Sequence, residues 1–107
     1  MKSNILNNRK RRPTHPGEFL REIVIPELGI TQSDFAARLG VSRRIISELL
    51  QERRPVSVDT AHRLARALNT SPEVWLRMQQ AVDVWDALQL HQHHYEKIKA
   101  IRPKRAA

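Results

Sequence analysis

Apolar positions recur at helical spacing in five successive stretches of this chain, each opened by a capping residue or a proline. His15 and Pro16 open the first, with proline at its first helical position and Glu18 in its first turn; Phe19, Leu20, Ile23 and Val24 make its apolar face. Pro26 is expected to end that helix, because it has no N–H and disfavours helical geometry at Ile25. Thr31 caps the second, whose Phe35, Ala36 and Leu39 share one side before Gly40 stops it with a positive φ. Val41 plugs the turn and Ser42 caps the third stretch, where Ile46, Leu49 and Leu50 face inward and Arg44, Ser47, Glu48 and Gln51 face outward. Two helices, a short glycine turn and a polar outer face on the second spell a helix-turn-helix over residues 31–54.

Ser57 opens a fourth helix with a stripe of Ala61, Leu64, Ala65 and Leu68, with His62, Arg63 and Arg66 off it and Asn69 placed to close it in the left-handed conformation. Ser71-Pro72-Glu73 starts the fifth, the longest and most apolar. Val74, Met78, Ala81, Trp85 and Leu88 form a seam of alternating four and three spacing, and Trp75, Leu76, Val82 and Val84 widen it. A band that wide exceeds what docking on one small domain requires. Met78, Ala81, Val82, Trp85 and Leu88 are therefore expected to pack against a second subunit, the plainer reading being that Trp75 and Leu76 cap the core and Trp85 lies at the surface.

Composition then narrows the partner. The 107 residues suffice for one domain with one small core, residues 15–90 by this reading, between a basic arm at 1–14 and a polar, basic tail at 91–107. The arm either neutralises phosphates or docks on a partner, or it is a solvated tail. A net charge of +8 and a pI of about 11.1 suit a polyanion. The absence of cysteine excludes disulfides and thiolate zinc sites. No apolar run approaches the ~20 residues that span a bilayer, and the basic N-terminus has no apolar run after it, so a cytoplasmic protein without membrane association is expected. His91, His93 and His94 do not converge on one helix face, so no metal is expected there. Neither a phosphate loop nor a nucleophile motif nor a carboxylate pair in an apolar setting is present. The expectation is therefore a protein with no enzymatic activity and no cofactor.

The frame HPGEFLRE, then TQSDFAARLGVSRRIISELLQERRPVSVDTAHRLARALNTSPEVWLRMQ, then Asp83-Val84-Trp85, resembles the HigA-type antitoxins of the XRE (Cro/CI-like) helix-turn-helix superfamily over His15 to Trp85. HPGE together with RLARALNTSPEVWLRMQ is the more specific part of the likeness. The resemblance implies an all-α, five-helix, lambda-repressor-like domain with a long C-terminal helix. It also implies a homodimer that binds an operator in its own promoter and neutralises a HigB-type, RelE-like toxin that cuts mRNA on the ribosome. A free-standing repressor with no toxin is the alternative. Ile45 departs from the pattern, since related members often carry a polar residue there.

In such proteins the recognition helix enters the major groove by its N-terminal half. Arg43 and Arg44 are then the expected base readers, with Ser47 and Gln51 on the same approach, and Glu48 would accept from a cytosine amino group if it faced the groove. Thr31, Gln32 and Ser42 stand at helix N-termini, where phosphates are gripped, and Arg53 and Arg54 reach the flanking backbone.

Overall fold

The computed structural model describes residues 11–104, and within them five helices form and no strand. Helix α1 covers residues 16–28 in three pieces: α-helical Pro16–Phe19, π-helical Leu20–Val24 and α-helical Ile25–Leu28. Then come α2 (Gln32–Leu39) and α3 (Arg43–Leu50), the helix-turn-helix, followed by α4 (Val58–Leu68) and α5 (Pro72–Glu96). Each expected cap is formed: Thr31, Ser42, Ser57 and Ser71 each accept from the backbone N–H three residues on. Gly40 (φ 75°) and Asn69 (φ 57°) close α2 and α4 in the left-handed conformation. His15 caps α1, its Nδ1 accepting from the Gly17 N–H at 2.8 Å.

Pro26 does not end α1, contrary to the reading of the sequence. The Ile25 N–H reaches the Leu20 carbonyl five residues back, and Ile25 keeps helical angles (φ −65°, ψ −44°). The ladder has slipped by one residue just before the proline that cannot donate to it, and the helix passes through its missing N–H. That slip also turns Ile23 outward, to 52 % exposure, and of the expected apolar face only Leu20 is fully buried.

The core gathers Leu20, Phe35, Leu39, Ile46, Leu49, Leu64 and Trp75 from all five helices. Its tightest joint lies between α1 and the end of α3. Gly17 is buried so close to α3 that a methyl group in its place would overlap the Leu49 carbonyl oxygen. On α5 the buried residues are Trp75, which caps the core as in the plainer reading, with Gln79 and Val82, and the Trp75 indole donates to Thr70 Oγ1 at 2.8 Å. Gln79 accepts from the Val56 N–H at 3.0 Å and donates to Asp83 at 2.9 Å, so one buried amide fastens the α3–α4 connection to α5. Met78, Ala81, Trp85 and Leu88 are half-buried on the flank. Val82 is 1 % exposed within its own protomer and has no surface left for a second chain.

Beyond the core α5 continues outward. His91 leaves helical geometry (φ −129°, ψ 18°), and residues 89–104 are all exposed. The radius of gyration, 17.9 Å, exceeds the ~13 Å of a compact chain this long because of that projection. Among the described residues no helix is long and apolar enough to cross a membrane.

Candidate nucleic-acid interface

Burial of Ile46, Leu49 and Leu50 fixes the rotation of α3 and so decides which residues it presents outward. Arg43 and Arg44 stand exposed in its first turn, Ser47 and Glu48 half-exposed in its middle and Gln51 exposed at its end. Ile45 lies half-buried beside them. Thr31 and Gln32 are exposed at the start of α2, and Ser42 at the start of α3. The Thr31 and Ser42 oxygens already accept from backbone N–H groups, but their hydroxyl protons remain to be donated to a phosphate.

The outward face of α3 is internally bonded. Gln51 Nε2 donates to Ser47 Oγ at 2.9 Å. Arg44 Nε donates to Glu48 Oε2 at 3.0 Å, and Arg54 folds back to place Nη2 and Nε at 2.7 and 3.1 Å from Glu48 Oε1. Arg54, then Arg44, hold the Glu48 carboxyl below the usual carboxylate range. Arg53 is exposed beyond the helix end. The sequence reading placed Arg44 and Arg54 in separate roles, on bases and on backbone; in the folded chain one carboxylate joins them.

Three supports of this face were not read from the sequence. Arg63, off the buried stripe of α4, is held by Asp59 at 2.8 Å and donates to the Leu39 and Gly40 carbonyls at 2.9 and 3.2 Å, bracing the turn from behind. Glu52 follows α3 with φ 62°, and its carboxylate receives Arg12 at 2.9 Å and Arg21 at 3.5 Å. Arg12 also grips Asp86 of α5 through two hydrogen bonds of 2.8 and 2.9 Å, holding that carboxyl below its ordinary range. Of the expected arm, Arg12 is thus docked by its ion pairs and Pro13 is buried, while Arg11 and Thr14 are exposed; residues 1–10 lie outside the described residues. An arginine in a basic, proline-containing stretch carries no local sign of a partner 74 residues away.

The helix-turn-helix family model matches residues 20–75, more than half of the chain. Antitoxin HigA-1 of Vibrio cholerae is 37 % identical over 94 residues, 88 % of this chain and 86 % of that protein. Among solved structures, the antitoxin GraA in complex with its operator is 37 % identical at a TM-score of 0.80, covering 90 % of this chain and 98 % of that one. The Pseudomonas aeruginosa antitoxin HigA with the higBA promoter is 30 % identical at a TM-score of 0.80, covering 85 % of this chain and all of that one (100 %). On these matches this chain belongs to the HigA-type antitoxins of the helix-turn-helix family.

Proposed function

We propose that this protein represses its own operon by binding operator DNA through α3 and neutralises a cognate HigB-type, RelE-like toxin by sequestering it. The observation that carries the reading is the outward face of α3. It presents Arg43, Arg44 and Gln51 beside two capped helix starts, in a fold whose similar structures include an antitoxin with its promoter and another with its operator. In this reading Arg43, Arg44, Ser47 and Gln51 meet base edges, and Thr31, Gln32, Ser42, Arg53 and Arg54 meet phosphates. The protein works in the cytoplasm as a homodimer through Met78, Ala81, Trp85 and Leu88, whose side chains its own core covers only in part. A dimer places two α3 helices about one DNA turn apart, which requires a palindromic site.

The test is a pull-down at native expression from the host. A small partner that co-purifies at fixed stoichiometry and halts growth when expressed alone supports the antitoxin reading. Recovery of operator DNA with no such partner replaces it with a free-standing repressor.

A further inference from the structure

The pairing on α3 leaves a specific part of Arg44 free. Glu48 takes its Nε, at 3.0 Å, while neither Nη has a partner among the described residues and the side chain is 84 % exposed. Glu48 is itself held from the other side by the two Arg54 contacts on Oε1, and its side chain is only 28 % exposed. A carboxylate fixed by one arginine therefore fixes the plane of a second. The two nitrogens of Arg44 that remain are the pair whose spacing matches O6 and N7 of guanine.

We propose that Glu48 is a positioning residue that pre-orients Arg44 for bidentate contact with a guanine, with Arg54 locking Glu48 in place. The inference rests on the DNA-binding reading above and adds the base that Arg44 reads and the residues that set its selectivity. Glu48 already accepts three hydrogen bonds from arginine, two on Oε1 and one on Oε2, so in this arrangement it acts on DNA through Arg44. Its effect on the two kinds of DNA differs in sign. A forked contact to a base edge demands one orientation of the guanidinium, so a side chain ordered in advance loses less freedom on forming it. A phosphate accepts an arginine from many directions and gains little from that ordering, while the nearby carboxylate repels it. Glu48 thus favours operator over random sequence through Arg44.

The experiment is fluorescence anisotropy on two duplexes, the inverted repeat of the protein's own promoter and a random sequence of equal length, at several salt concentrations. Glu48→Gln should bind the random duplex more tightly and lower the operator-to-random ratio by about two- to tenfold, the scale of ordering one long side chain. In an Arg44→Lys background, which keeps the charge and removes the fork, Glu48→Gln should lower the ratio no further. An equal fall in both backgrounds overturns the proposal, because a plain field effect of the carboxylate would persist without the fork. So does an unchanged ratio in the single variant, provided circular dichroism shows the native helix content. If the unaltered protein fails to distinguish the two duplexes, operator binding itself falls, and the role of Glu48 with it.

Discussion

At Gly17 a missing side chain sets the distance between two helices. A Cβ there would overlap the Leu49 carbonyl oxygen, so α1 would have to withdraw from the end of α3. Gly17→Ala should therefore destabilise the protein by about 1–3 kcal/mol, the range of overpacked cores, and lower its operator affinity; chemical denaturation read alongside DNA binding checks both. His15, two residues earlier, is 3 % exposed, and burial lowers its pKa from the ordinary 6.5. Its Nδ1 must stay unprotonated to accept from Gly17, which leaves its proton on Nε2. Because the folded chain takes up this proton less readily than the unfolded one, its contribution to stability is complete above pH ~6.5 and is lost as pH falls through the lowered folded value. Thermal stability should decline below about pH 6.5, before the carboxylates titrate, and His15→Asn, which keeps a capping oxygen, should flatten that decline.

Among the elements, α3 is positioned from three sides: by Gly17 at its end, by Arg63 behind its turn and by the ionic knot at Glu52. Replacing Arg63 with alanine leaves the Leu39 and Gly40 carbonyls without their charged donor. It should cost about 1–2 kcal/mol in urea unfolding, part of the value of a charged hydrogen bond because solvent reaches the site. Arg12→Ala is milder, since its pairs with Glu52 and Asp86 are more than a third exposed on the arginine side. A loss of about 1 kcal/mol or less that shrinks as salt is added is expected. On DNA, Arg44→Ala should weaken operator binding far more than random-sequence binding; equal losses on both would remove Arg44 from base reading.

For the whole molecule, the flank of α5 is the surface expected to meet a second copy. Its half-buried residues run along one side of a helix that projects well past the core, so a second copy can lie against it without disturbing the protomer. Leu88→Arg tests this better than a change at Trp85, whose indole nitrogen is buried within its own protomer and has no hydrogen-bond partner among the described residues. The variant should sediment as a monomer and keep its helix content; a persisting dimer would move the interface elsewhere.

Wherever an effect is local, this sequence determined it alone. Caps at Thr31, Ser42, Ser57 and Ser71, left-handed stops at Gly40 and Asn69, and the inward stripes of α2, α3 and α4 depend on neighbours within a turn or two. The outward arginines follow from the same periodicity. Tertiary structure decided what depends on separated residues meeting. Helix α1 passes Pro26 by a slipped turn, with Leu20 buried and Val24 and Ile25 packed against the core just before it, and α5 turns Gln79 and Val82 inward because Val56 and the core await them there. Arg12 finds Asp86 and Arg63 finds the Gly40 carbonyl across gaps that periodicity does not carry. A spacing rule registers which residues share a helix face, but which face another part of the chain will cover is settled only when the helices pack.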